Sequence, residues 1–435
     1  MADGVGVEAA APVLLKRHVV AAVAGNALEF YDFITYSFFA IQIGHAFFPS
    51  KDPFASLMLS LGVFGAGFLS RPLGGFVLGA YADRVGRRAS MMLSYVLMGS
   101  AITAMALIPP YAMIGIWAPI LALTTRVLQG FSLGGEVGSI MAFLTEAAPP
   151  GRRGLVVAWQ PASQAIAAVA GSSVGLVLAA LMPAPFLDSY GWRIAFLLGA
   201  LTVPFGLLLR RALPETLHVP EAAPAPAGQP GPWRHARLIG MGLMVLGGGT
   251  ISTYVLDYMT TFAQGTLHMA STVAFAATLL PNIVGFGAVL LGGWLSDRTG
   301  RRPVMIWTQA AYVLVALPVF LLIVHQRSAL TLIGGSCLLA FLSTFAMGAF
   351  YPAFSESLPK AVRGRGVAAT YACAIAVFGG TTQPMITWLI HATGRPEAPG
   401  VYLAAALLMA LIGMTLILES APVRAGPLAA KPAAA

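Results

Sequence analysis

The chain has 435 residues, of which 58% are hydrophobic and only 9% charged, with a mean hydropathy of +0.81. Soluble domains carry about 25% charged residues, so this composition excludes a water-soluble globular protein and indicates an integral membrane protein. The net charge of +9 would suit nucleic acid, but the basic residues cluster at the ends of apolar segments, which argues against that partner.

Residues 1–15 lack the pattern of a cleavable signal, and Lys16-Arg17 precede an apolar segment that contains Glu29 and Asp32, so the first helix is expected to stay. Apolar runs long enough to span, roughly 20 residues or more, fall near 18–48, 54–81, 90–109, 112–145, 155–181 and 193–211. A second set falls near 236–264, 271–295, 303–325, 329–357, 366–392 and 400–418. The expected fold is an all-α membrane protein of about twelve helices in two sets of six. The expected layout is a six-helix bundle over 1–211, a Pro/Ala-rich linker at 212–234, a second bundle over 235–419 and a low-complexity, disordered tail at 420–435.

One stretch is written twice. Gly79-Ala-Tyr-Ala-Asp83-Arg84-Val-Gly86-Arg87-Arg88 returns as Gly293-Trp-Leu-Ser-Asp297-Arg298-Thr-Gly300-Arg301-Arg302, with Gly, Asp, Arg, Gly, Arg and Arg in register. A charged turn between two spanning segments, repeated half a chain later, marks a duplicated membrane protein. Nearly all other basic residues fall at the same set of helix ends as these turns. Lys51, Arg193, Arg327 and Arg395 fall at the other set, and Arg71 and Arg126 lie inside spans. The positive-inside rule then places both termini in the cytoplasm.

Polar residues at membrane depth are costly, by about 2.5–3.5 kcal/mol for a central Asp, Lys or Arg on insertion scales. In the first helix Asn26, Glu29 and Asp32 recur every third residue, within an arc of about 120°. They must face an aqueous cavity, pair with a cation or carry protons; a polar network at a helix start is the structural alternative. In the fourth run Arg126, Gln129, Leu133 and Glu136 share an arc of about 80°. An arginine cannot be neutralised and forms bidentate bonds with carboxylates. Arg126 is therefore either a permanent partner of Glu29, Asp32 or Glu136, or an anion anchor. Arg71 is a second candidate cation, with helix packing or gating as its alternative. Gln160, Ser163 and Gln164 form a neutral patch on the fifth helix, and Tyr254, Asp257, Tyr258 and Thr261 share a face of the seventh. Gly379-Gly380-Thr381-Thr382-Gln383-Pro384 interrupts the eleventh. At the charged ends, Glu146 and Glu356 precede arginine pairs in both halves. With Asp83, Arg84, Arg87, Asp297, Arg298 and Arg301 they form acid–base networks that can serve as a gate. The seven histidines show no metal spacing and Cys337 and Cys373 lie in apolar runs, so neither metal, cofactor nor disulfide framework is expected. No nucleophile–base pair stands at membrane depth, so an enzyme is not expected.

These residues carry a resemblance. The doubled DRxGRR turn and twelve spans resemble the major facilitator superfamily. Within it, GNALEFYDF (25–33), FGAGFLSRPLGG (64–75), RVLQGFSLGGE (126–136), WQPASQ (159–164) and GWRIAFLLG (191–199) resemble the metabolite:proton symporters. HAFFPSKDPFASLML (45–59) and residues 64–88 resemble the citrate and tricarballylate proton symporters. The resemblance implies alternating access by two rocking halves in a bacterial inner membrane, importing an organic acid such as citrate with protons. The partners implied are that small acid, protons and the lipid bilayer, with the chain acting as a monomer. It implies that Glu29 and Asp32 are the proton-linked acids and Arg126 their partner or a substrate anchor; Glu136 is expected to join the acids. Substrate contacts are expected of Arg126 and, from their placement, of Arg71, Asn26, Gln129, Gln160, Gln164 and Tyr258. Three positions depart from the citrate-type pattern: Ala165 where ASQQ is usual after Ala162-Ser163-Gln164, Gln264 in place of an arginine, and Asp257 in place of an apolar residue. The alternative substrates are a zwitterionic osmolyte such as proline or betaine, or another monocarboxylate or aromatic acid.

Overall fold

The computed structural model describes residues 16–85, 87–134, 140, 141, 144, 145, 148–201, 203, 204, 233–358, 360–421 and 423. These residues are helical almost throughout. Hydrocarbon offers a backbone N–H or C=O no partner, so each crossing segment satisfies its own ladder. The principal elements of the first half are α1 (Lys16–Phe38), α2 (Ala40–Phe47), α3 (Pro53–Leu69), α4 (Arg71–Val85), α5 (Arg87–Leu107), α6 (Trp117–Ser132), α7 (Arg153–Leu181) and α8 (Trp192–Ala200). The second half has α9 (Trp233–Asp257), α10 (Ser271–Thr299), α11 (Arg301–Gln326), α12 (Ala329–Ser357), α13 (Lys360–Ala374), α14 (Gly380–Thr393) and α15 (Ala398–Leu416).

Eight helices among the described residues are long and apolar enough to cross a membrane, and Met92–Leu107 is a shorter apolar one. One other expected crossing is interrupted, and parts of those at 112–145 and 193–211 lie outside the described residues. The first run breaks at Phe39 between α1 and α2, and a π-helical turn at Leu187–Gly191 precedes α8. Residues 212–232 of the expected linker and most of the 420–435 tail lie outside the described residues; 233 and 234 open α9.

Sequence punctuation sets the ends. Asp52 accepts from Phe54 N at 3.0 Å with Pro53 as the first helical residue of α3, and Ser328 accepts from Thr331 N at 3.1 Å at the start of α12. Gly300, at φ 106°, makes the one-residue turn from α10 into α11 that the second charged repeat requires.

The two halves meet along two seams, α7 against α10 and α3 against α14. At the second seam backbone touches backbone. A Cβ on Gly65 would strike the Gly380 carbonyl, and one on Gly380 would lie 2.8 Å from the Gly65 carbonyl oxygen. Overpacking of this kind costs about 1–3 kcal/mol. Gly380→Val is therefore expected to lower the thermal unfolding midpoint in detergent, whereas Gly62→Val, which has open space around it, leaves it unchanged; equal midpoints would show that the seam yields.

Candidate functional site

At the centre of the molecule Arg126 of α6 and Arg71 at the start of α4 are buried, with 0% and 4% exposure. Both guanidinium groups stack on one ring, Phe33 of α1, at 4.5 and 4.3 Å from its centroid. Arg71 also lies 4.7 Å from Phe68, and Arg126 lies 4.5 Å from Tyr36 and 5.3 Å from Phe64. Helical spacing builds this cage: Phe33 and Tyr36 share a face of α1, and Phe64 and Phe68 a face of α3. Arg126 Nη1 donates to Oε1 of Gln129, one turn further along α6. Nε and Nη2 of both arginines are sealed from solvent without a hydrogen-bond partner, and among the described residues no carboxylate forms an ion pair with either.

Magnitudes decide what this means. A desolvated cation–π contact contributes about 2 kcal/mol, while burying one ion costs several kcal/mol. Aromatic stacking lowers the cost of two adjacent cations without cancelling it. Among the described residues the arrangement lacks a counter-charge, and it suits an anion.

The neutral residues gather nearby. Asn26 Nδ2 donates to Ser163 Oγ at 2.6 Å, while Asn26 Oδ1, Gln129 Nε2 and both amide atoms of Gln160 are buried and unpartnered. Gln164 Nε2 reaches across the interface to the Tyr371 hydroxyl at 3.1 Å. Tyr258 is engaged elsewhere, its hydroxyl 2.9 Å from Thr387 Oγ1 within the second half. Tyr254 faces the arginine cage, edge-on to Phe68 at 5.1 Å. Gln383 Nε2 donates to Ser37 Oγ at 2.5 Å and to Tyr254 O at 3.4 Å. The sequence reading missed the aromatic cage; its signal was aromatic pairs at helical spacing in the helices beside a buried arginine.

Asp32 is 1% exposed, and neither carboxylate oxygen has a hydrogen-bond partner. It does not clamp Arg126; its carboxyl rests on α8 where Gly199 has no side chain, and a Cβ there would overlap it. Beside it, the Tyr31 hydroxyl donates to Ala195 O at 3.2 Å and joins α1 to α8. The side chains of Glu29 and Glu136 lie outside the described residues.

Both ends of the interface are bridged. At the end carrying the charged turns, Asp297 accepts from Gly154 N at 2.8 Å and Leu155 N at 3.0 Å, an acid set on the positive N-terminus of α7. Arg301 donates to Asp297 at 2.8 Å and to Glu356 at 3.2 Å. Glu419 accepts from the backbone N–H groups of Arg301 and Arg302 at 2.8 and 3.0 Å, and Ser420 Oγ donates to Glu356 at 2.6 Å. Partial burial works against ionisation of Glu419, but its backbone donors, which include Ser420 and Ala421, outweigh that and hold the carboxyl below its usual range. Arg298 stands apart, exposed and stacked over Trp294 at 4.1 Å. In the first copy of the repeat Arg84 is exposed, and the side chains of Asp83 and Arg87 and all of Glu146 lie outside the described residues. The copies also differ in surroundings: Gly293 packs on Gly154, whereas Gly79 has open space.

At the opposite end Gln42 Nε2 donates to Gln264 Oε1 at 3.1 Å, and Phe54 stacks on His391 at 3.9 Å between centroids. Within the first half, His45 Nδ1 lies 2.9 Å from Asp188, a hydrogen bond that raises the imidazole above its ordinary value of 6.5. A group whose folded value is raised contributes stability that is complete below about 6.5 and fades as pH rises through the folded value. The pair is half-exposed, so its worth is at most about 1 kcal/mol. His45→Gln is expected to remove a small increment of thermal stability at pH 5.5 and none at pH 8.5; an equal loss at both would refute the link.

Comparison with known proteins identifies the family. The family model described as Major Facilitator Superfamily matches residues 23–380. The citrate-proton symporter of Klebsiella pneumoniae is 38% identical over 396 residues, covering 89% of this chain and 88% of that protein. The alpha-ketoglutarate permease of Escherichia coli K12 is 35% identical over 373 residues (84% and 85% covered), and the proline/betaine transporter of the same strain is 32% identical over 425 (92% and 83%). Among solved structures, the D-xylose-proton symporter superposes with a TM-score of 0.75 over 93% of this chain and 98% of that one, at 18% identity, which speaks for the fold alone. The chain belongs to the major facilitator superfamily. It is a multi-pass transport protein of the inner membrane.

Proposed function

We propose that the protein imports a di- or tricarboxylate, citrate in the first instance, together with protons, by alternating access and without chemical turnover. One observation carries the reading: two buried arginines share an aromatic ring and leave four N–H-bearing nitrogens without a partner. Two carboxylates of one substrate supply what those groups lack, in the bidentate geometry that guanidinium favours. Asn26, Gln129 and Gln160 would bond the remaining carboxyl or hydroxyl, and Gln164 would hold the interface through Tyr371. Relatives named for citrate and alpha-ketoglutarate support the acid class. The relative named for proline and betaine keeps a zwitterion as the competing substrate.

In this reading the charged end is cytoplasmic, the chain works as a monomer, and Asp297, Arg301 and Glu356 form the inner gate, with Asp83, Arg84, Arg87 and Glu146 as its counterpart. Protonation of Glu29, Asp32 or Glu136 removes negative charge from the surroundings of Arg126, which Asp32 does without touching the guanidinium. The substrate then pairs with the arginines, and the charge-compensated carrier changes face. Release of the proton inside weakens substrate binding, since the two events are thermodynamically linked.

Proteoliposomes with an inward acid gradient are expected to accumulate labelled citrate, and a protonophore to abolish this; no uptake by an active preparation would discard citrate. Arg126→Lys keeps the charge but loses the fork. A lost charge-assisted hydrogen bond costs about 1.5–3 kcal/mol, so the apparent citrate affinity should fall roughly ten- to a hundredfold. An unchanged affinity would remove Arg126 from the site. Glu29→Gln and Asp32→Asn are each expected to end gradient-driven accumulation while citrate exchange continues; accumulation surviving both would refute their coupling role.

A further inference from the structure

The mechanism above leaves one buried acid unused. Asp257 is the last residue of α9, 4% exposed, and makes no hydrogen bond or ion pair with any described residue. The helix loses its regularity immediately after it, although Tyr258 N still donates to Tyr254 O at 3.1 Å and Phe262 N to Tyr258 O at 2.8 Å. Tyr258 forms a turn, Met259–Thr261 a single short helix, and Phe262–Thr266 a π-helical turn. A second π-helical turn at Ile375–Gly379 joins α13 to α14, with Gly379 lying against Phe68 and Tyr254. Such irregular turns collect at functional sites because they re-aim side chains and free backbone groups.

Asp257 is joined to the arginine cage by a short series of contacts. Tyr254 stands one turn earlier on α9, edge-on to Phe68 at 5.1 Å, and Phe68 lies 4.7 Å from Arg71. The elements packed against α9 bring Tyr351 of α12, Tyr371 of α13, Tyr402 of α15 and, from the first half, Asp32 and Tyr36 of α1, with Arg71 of α4 behind Phe68. None of them forms an ion pair or a hydrogen bond with Asp257. Without a partner, a neutral acid is tolerated at such a position and a carboxylate is not.

We propose that Asp257 carries a coupled proton of its own, distinct from the one assigned to the first helix. The inference rests on the transport reading above. Ionised, Asp257 repels an anion approaching Arg71; neutral, it admits one. The step moves a single proton from hydronium on the outer side to the carboxylate, and later from the carboxylic acid to water on the inner side. No other bond changes. Anion binding and protonation of Asp257 therefore favour one another, and the proton crosses with the substrate.

The test counts protons per citrate in proteoliposomes holding an internal pH dye, with the membrane potential clamped to zero. Asp257→Asn should move one proton fewer than the unsubstituted protein. Its final accumulation in a one-unit pH gradient should be about tenfold lower, since each coupled proton contributes one decade per unit. Asp257→Glu should keep the full ratio. An unchanged proton count in Asp257→Asn overturns the proposal. If Asp257→Asn moves no citrate at all, Asp257→Glu decides: a shifted pH midpoint of uptake supports the assignment and an unmoved one overturns it. Failure of the unsubstituted protein to accumulate citrate would strike the transport reading instead, and is seen before any variant is made.

Discussion

Two guanidinium groups held against a single phenylalanine ring, with no carboxylate paired to either among the described residues, set the terms for the rest of the molecule. Like charges at close range in a low-dielectric interior repel strongly, and each costs several kcal/mol to desolvate. Phe33, Tyr36, Phe64 and Phe68 supply the negative faces of their rings, which attract cations without neutralising them. The site is thus organised for positive charge while leaving hydrogen-bonding capacity unused. A permanent acid at the same place would complete the pair and leave nothing for a ligand to do.

The surroundings follow from that constraint. The carboxylate of Asp32 is kept off Arg126 by seating it on α8, where Gly199 leaves room for it. Amides at Asn26, Gln129 and Gln160 bring donors and acceptors near the cations without adding a counter-charge. The half-interface is closed at the middle by polar contacts, Gln164 to Tyr371 and Gln383 to Ser37. These contacts are neutral, so parting them costs less than separating buried ions would.

The ends of the molecule use different chemistry. The charged end is held by an acid on a helix N-terminus, with Asp297 bridging the halves and Arg301, Glu356 and Glu419 fixing it from behind. The opposite end is held by an amide pair and a stacked ring, Gln42 with Gln264 and Phe54 with His391. Bridges at both ends among the described residues, with the arginines enclosed between them, fit an intermediate of the alternating access proposed above.

Much of this was legible in the order of residues alone. A chain so poor in charge has to span a membrane, and a membrane interior allows little but helices, so composition and run length determined the class and the approximate spans. The duplicated turn determined the two-half plan, since chance does not return six residues in register at half-chain distance. The buried arginines and carboxylates stood out because any charge inside a span is costly enough to need a reason. What lay beyond the sequence were the partners, because these depend on how helices distant in the chain rotate against one another. Periodicity put Asp32 within reach of Arg126, but the packing of α1 on α8 turned its carboxyl onto Gly199. Tyr254 and Tyr258 looked equivalent on one face, but packing brought the Tyr258 hydroxyl to Thr387 and left Tyr254 against Phe68. The two copies of the charged turn read alike, yet Gly293 meets Gly154 while Gly79 meets nothing. Sequence determines which residues are too costly to bury alone; only tertiary structure decides what is placed beside them.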